Sequence, residues 1–235
     1  MDNQGLLKGR FFCSYMKGET IPMLNYDVVC FDVDSTLVTC EGIDWLAERK
    51  GVGEDVKNLT NQAMNGEVPM ESVFSKKLDI IRPSRKELQR VGEYYCSQLT
   101  QGVEDVIGVL KQLNLDVWLI TGSFSDALYP LADTLKIPRE QIKANQVYYD
   151  SFGDYQGIDL GCPLATSTGK ATYAQVIGRS KRVAFIGDSV TDLATKPVVK
   201  TFVGFGGVVT RQKVKDEAEF FIKSPSILPL LALVY

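Results

Sequence analysis

Histidine is missing altogether from this 235-residue chain. A Ser-His-Asp triad, a Cys-His protease pair, a phosphohistidine intermediate and any metal site that needs imidazole are therefore excluded. Cysteine is scarce and odd in number: Cys13, Cys30, Cys40, Cys96 and Cys162, with no Cys-x-x-Cys spacing. This argues against a disulfide scaffold or a zinc ribbon and favours reduced thiols in the cytoplasm. No apolar run approaches the ~20 residues of a membrane helix. Met1 to Thr20 lacks a signal-peptide stretch and reads as a mobile extension with one helical turn. A net charge of −3 gives no excess with which to hold nucleic acid or an anionic membrane. Carboxylate, lysine and hydroxyl chemistry remains, and it suits a hard cation such as Mg²⁺.

The residues that are present alternate between two periods. Tyr26 to Asp32, Leu115 to Thr121, Arg182 to Ile186 and Lys200 to Val203 are apolar, β-prone runs and read as strands. Apolar stripes at helical spacing separate them, as in Val103, Val106, Ile107, Leu110 and Leu113. A second stripe, Phe124 to Leu135, contains Pro130, which is expected to kink or split its helix. The alternation predicts an α/β fold, a Rossmann-like doubly wound parallel sheet covered on both faces. Between the first strand and Thr100 the pattern is helical only, with a capping box at Ser84 and Glu87. This insertion reads as a helical cap over residues 42–100. The core takes 23–41 and 101–235, and the extension takes 1–22. Val147 to Asp159 reads as a small β-hairpin flap, and the apolar Ile227 to Tyr235 as a segment docked on the core.

Chemistry concentrates where strands end. Asp32 and Asp34 follow the first strand, and Asp188 and Asp192 follow the third. Any one of them alone fits a turn or a helix cap. Together, at the carboxyl ends of strands in one parallel sheet, they make an oxygen-rich pocket for a cation and a phosphate. Thr121-Gly122-Ser123 follows the second strand and is expected to open a helix, offering a hydroxyl and backbone N–H groups to phosphate. Lys170 would cancel phosphate charge. Other motifs fail on single residues. Leu37 and Ile43 break an EF-hand, Leu164 and Ala171 a Walker A loop, and Val209 a dinucleotide fingerprint. On this reading Asp32 attacks phosphorus, while Asp34 gives a proton to the leaving alkoxide and later activates water.

These pieces, in this order, resemble the haloacid dehalogenase superfamily of phosphatases. Phe31 to Asp44 (Phe-Asp-Val-Asp-Ser-Thr-Leu-Val-Thr-Cys-Glu-Gly-Ile-Asp) is similar to the opening of its phosphoserine phosphatase family. Ala63 to Pro69, Ile81 to Arg85 and Gly204 to Lys215 resemble further segments of that family. The resemblance implies Mg²⁺-dependent hydrolysis of phosphoserine through an aspartyl phosphate, the last step of serine biosynthesis, by a cytoplasmic monomer or homodimer. It implies Asp32 as nucleophile and Asp34 as acid/base. Mg²⁺ would sit on the Asp32 carboxylate, the Asp34 backbone carbonyl and Asp188, with Asp192 in support. Phosphate would meet Thr121, Gly122, Ser123, Lys170 and Thr191. Glu41 would meet the substrate ammonium, and Met64 and Asn65 would line the serine moiety. Lys77 stands where the family places an arginine for the substrate carboxylate. It keeps the charge but not the planar two-bond grip. Another small phosphomonoester, a phosphotransferase, or a phospho-metabolite-binding scaffold without catalysis are the alternatives.

Overall fold

The computed structural model describes residues 26–234. The extension expected at 1–22 lies outside them. The apolar run after Asp27 forms β1 (Val28–Phe31), whose four side chains are all fully buried. Four helices follow: α1 (Gly42–Arg49), α2 (Gly53–Asn65), α3 (Met70–Ile81) and α4 (Arg85–Ser97). The chain then alternates through α5 (Val103–Gln112), β2 (Asp116–Phe124), α6 (Ser125–Thr134) and β3 (Ile142–Asn145). An antiparallel pair, β4 (Val147–Tyr149) and β5 (Tyr155–Ile158), precedes α7 (Gly169–Ile177) and β6 (Val183–Gly187). The last elements are α8 (Val190–Leu193), β7 (Thr201–Phe205), α9 (Gln212–Glu217), β8 (Phe220–Ile222) and α10 (Leu231–Val234).

Six strands form one parallel sheet in the order β3-β2-β1-β6-β7-β8. The chain thus winds outward from β1 in both directions, which leaves a crevice at the carboxyl end of β1 between β2 and β6. Every residue of β1, β6 and β7 is buried, as a sheet covered on both faces requires. Phe31 is in register with Leu119 on one side and Ile186 on the other. Asp32 therefore emerges level with the end of β6, and the Asp32 N–H still bonds the Ile186 carbonyl at 2.9 Å.

The helical insertion packs its apolar stripes inward. Val56, Val73, Leu78, Leu88 and Val91 are among its buried side chains. Its sharpest start is at Ser84, where the reciprocal capping box with Glu87 forms as expected. The hairpin leans on it: the Arg85 N–H donates to the Gly153 carbonyl at 2.9 Å, and the Arg85 guanidinium covers Tyr149. The C-terminal segment docks on the core, with Ile227 and Leu230 fully buried and the Ile227 N–H bonded to the Gln101 carbonyl.

Pro130 does not split its helix; α6 runs unbroken from Ser125 to Thr134. Only five residues precede Pro130 in the helix, so the backbone bond its ring deletes falls close to the amino end. β3 and β8 were not legible as strands. Each is a short edge strand of the sheet, and Phe220 and Phe221 of β8 are exposed or half-buried.

Candidate active site

Three acidic side chains meet at the crevice. Asp32, Asp188 and Asp192 are buried, and one carboxylate oxygen from each lies within 4.8 Å of the others. Parallel pairing of β1 with β6 brings them together, because Asp32 follows β1 and Asp188 follows β6. Gly187 makes room: a Cβ there would come within 2.2 Å of the Asp192 carboxyl carbon. Lys170, buried in the first turn of α7, reaches between them. Its Nζ lies 2.6 Å from Asp192 Oδ1 and 2.8 Å from Asp32 Oδ1. Arg211 closes the other side, with Nε 3.2 Å from Asp188 Oδ2.

The charges do not balance. Three carboxylates face one ammonium and one guanidinium. Burial, together with Asp192 and Asp188, pushes the Asp32 carboxyl well above the ordinary range, against the pull of Lys170. Burial and Asp192 push Asp188 up to about 6, against Arg211 and Lys170. Burial opposes the Lys170 charge, but Asp192 and Asp32 outweigh it and raise its pKa. Asp32 Oδ1 accepts no well-aligned hydrogen bond, although it is fully buried and near Lys170 in distance. An all-oxygen donor set with surplus negative charge and an orphaned oxygen fits a hard divalent cation. Asp192 has the least to give. Its Oδ1 accepts from Lys170 and its Oδ2 from both the N–H and the hydroxyl of Ser189.

Asp34 points elsewhere. Its Oδ1 accepts the Gly42 N–H at 2.8 Å and the Tyr95 hydroxyl at 2.7 Å. Tyr95 in turn accepts from the Ser123 hydroxyl at 3.0 Å, since its own proton goes to Asp34. Gly42 must be glycine here, because a Cβ would lie 2.3 Å from the Tyr95 hydroxyl. Burial raises the Asp34 pKa, against the hydrogen bonds from Tyr95 and Gly42. Ser35 adopts a left-handed backbone (φ 54°), uncommon for a residue with a side chain, and donates its hydroxyl to Glu41 Oε1 at 2.7 Å.

Asp32, Asp34, Glu41, Met64, Lys77, Thr121, Gly122, Ser123, Lys170 and Asp188 all line one pocket. Three expected residues do not. Asp192 lies beneath the pocket wall on Lys170. Thr191 is buried in α8, its hydroxyl 2.9 Å from that of Ser189. Asn65 is exposed and accepts from Arg211 Nη1 at 2.8 Å. Thr121-Gly122-Ser123 does not open a helix, contrary to expectation. All three belong to β2, and α6 starts at Ser125. Two contacts keep them extended. The Asn145 amide donates to the Gly122 carbonyl at 2.8 Å, and Phe124 is buried against Phe74 with ring centroids 6.0 Å apart. Tyr95 and Arg211 were missed as site residues. Tyr95 sits on an apolar helix face, and the signal was its hydroxyl, which needs a partner once buried. Arg211 had no local signal, because Asp188 is distant in sequence.

A buried carboxylate beside a lysine, a cation-suited acidic cluster and a hydroxyl-bearing stretch of β2 together suit phosphoryl transfer. Comparison with known proteins agrees. The model of the haloacid dehalogenase-like hydrolases matches residues 26–195. The phosphoserine phosphatase of Bos taurus is 39% identical over 199 residues, covering 83% of this chain and 88% of its own. Among solved structures, a phosphoserine phosphohydrolase-like protein from Francisella tularensis superposes with a TM-score of 0.81 at 24% identity. It covers 89% of this chain and 100% of its own. A phospho-aspartyl intermediate analogue of phosphoserine phosphatase superposes at 0.79 and 22%, covering 90% of this chain and 100% of its own. The chain belongs to the haloacid dehalogenase-like hydrolases, and within them to the phosphoserine phosphatase family.

Proposed function

We propose that this protein is a Mg²⁺-dependent phosphatase that hydrolyses O-phospho-L-serine to serine and phosphate, the step that completes serine formation. The observation that carries the reading is Asp32, buried at the end of β1 with Lys170 at 2.8 Å and Asp188 and Asp192 alongside. Family membership supports the reaction class.

Asp32 attacks phosphorus, and the bond to the ester oxygen breaks. Asp34 gives that oxygen its proton, a role suited to a carboxyl whose pKa burial has raised. Asp34, now ionised, takes a proton from water. The resulting hydroxide attacks the aspartyl phosphate, releasing phosphate and restoring both carboxyl groups. Thr121, Gly122 and Ser123 cradle the phosphoryl oxygens, while Lys170 offsets their charge. Thr191 supports this side through Ser189. Mg²⁺, held by Asp32, the Asp34 backbone carbonyl and Asp188 with Asp192 in support, supplies neutralisation of the phosphate dianion when bound. Glu41 faces the ammonium, and Met64 lines the serine end. Asn65 fixes the end of α2 to Arg211 rather than touching substrate. The four helices over residues 42–100 act as a cap that admits substrate and then excludes water.

Among the described residues, no helix is long and apolar enough to cross a membrane, and Cys30, Cys40, Cys96 and Cys162 are all unpaired. Free thiols suit the reducing cytoplasm. The test is phosphate release from phosphoserine with Mg²⁺ and after chelation by EDTA. Turnover that needs the ion is expected; clean protein with no metal-dependent turnover contradicts the reading.

A further inference from the structure

Away from the acidic cluster, the pocket wall is mostly apolar, with Ile43, Met64, Phe74 and Leu78. Two charged side chains interrupt it, Glu41 and Lys77. Their surroundings differ. Glu41 accepts a hydroxyl from Ser35 at 2.7 Å and has no ion-pair partner among the described residues. Lys77 is already engaged. Its ammonium donates to Thr60 Oγ1 at 2.5 Å and lies 3.6 Å from Asp44 Oδ1. The Thr60 hydroxyl donates onward to the same Asp44 oxygen at 2.6 Å. The Lys77 and Asp44 side chains are only 13% and 12% exposed, so the two charges cancel largely out of water.

We propose that Asp44 and Thr60 occupy Lys77, so that the pocket selects its substrate by an ammonium group and reads a carboxylate only weakly. The substrate class is small phosphomonoesters of amino alcohols, with or without a carboxylate. This rests on the phosphatase reading above and widens its substrate range.

An ammonium has three N–H donors. One donates to Thr60, while Asp44 at 3.6 Å is an ion-pair neighbour beyond hydrogen-bond reach, so a substrate carboxylate would meet an ammonium whose charge is already offset. A planar guanidinium would offer two parallel bonds and a fixed orientation. The remaining attraction also competes with Asp44, whose anionic oxygen is held in place by Thr60. Glu41 has no such counter-charge: burial and the nearby Asp34 and Asp188 push its carboxyl well above the ordinary range, against the Ser35 hydrogen bond, and an incoming ammonium would stabilise its ionised form. Asp44 and Thr60 are thus positioning residues: they act on substrate choice through Lys77.

The experiment compares O-phospho-L-serine with O-phosphoethanolamine, which lacks only the carboxylate, using the full chain and Mg²⁺. A single shared ion pair gives a kcat/KM preference for phosphoserine of about tenfold or less. Asp44→Asn frees the ammonium and should raise that preference at least ~3-fold, mainly by lowering the phosphoserine KM. Lys77→Met should lower the preference by no more than ~10-fold. A wild-type preference beyond ~100-fold, or an equally large collapse in Lys77→Met, overturns the proposal. So does a preference that Asp44→Asn leaves unmoved. Loss of turnover on both esters in the wild type overturns the phosphatase reading itself, and this inference with it; that outcome is distinct from a strong phosphoserine preference.

Discussion

The two ends of the pocket are built on different principles. The proposed phosphate end rests on the sheet: Asp32 and Asp188 directly follow the neighbouring parallel strands β1 and β6, and Thr121 lies within β2, all fixed by backbone pairing. Its charges are buried and in surplus. The proposed selecting end rests on the helical insertion: Met64, Lys77 and Phe74 come from α2 and α3. Its one cation is balanced by Asp44. The proposed chemistry is thus placed on the sheet, and the proposed discrimination on the helical insertion. Between them runs one hydrogen-bonded chain, from Ser123 through Tyr95 to Asp34, joining β2, the insertion and the proposed acid/base.

Substitutions can break or sharpen that contrast. The largest effect belongs to the sheet-borne end. Lys170→Met should cut kcat by ~10²-fold or more, because charge stabilisation at the phosphoryl group is lost. It should also destabilise the protein by about 3 kcal/mol in metal-free buffer, since Asp32 and Asp192 are left buried without their cation. Steady-state kinetics and denaturant unfolding check the two parts. A stable, active Lys170→Met variant would erase the distinction between the ends. Tyr95→Phe tests the link. It removes one of two hydrogen bonds to Asp34, so kcat should fall about tenfold with KM little changed, as for a group that orients another. A change confined to KM would move Tyr95 to the selecting end. The smallest effect is expected from Lys77→Arg, which adds a second donor direction beyond Asp44. The phosphoserine KM should fall by about two- to fivefold with kcat steady.

The same contrast governs what could be read without coordinates. The sheet-borne residues were legible because strand ends are local signals, and acidic residues after two apolar runs point to one crevice. Glu41, Met64 and Lys77 followed from resemblance, and all three line the pocket. Contacts made across the chain were not legible. Arg211 reaches Asp188 and Asn65 from the segment after β7. Tyr95 reads as one more apolar position of α4, yet its hydroxyl bonds two site residues. Asp44 looks like an ordinary first-turn acid of α1, and its role depends on α2 and α3 packing beside it. Thr121 to Ser123 looked like a helix start because glycine after a strand is a turn signal. The Asn145 amide and the buried Phe124 keep that stretch extended instead.

The central claim is a bond between the Asp32 carboxylate and phosphorus. Rapid acid quench during turnover of radiolabelled phosphoserine, followed by peptide mass spectrometry, tests it most directly. The account predicts an acid-stable, hydroxylamine-sensitive phosphoryl label on the peptide containing Asp32, absent in Asp32→Asn, whose turnover should fall at least ~10³-fold. A label on any other residue, or an Asp32→Asn variant that turns over at the wild-type rate, would contradict it.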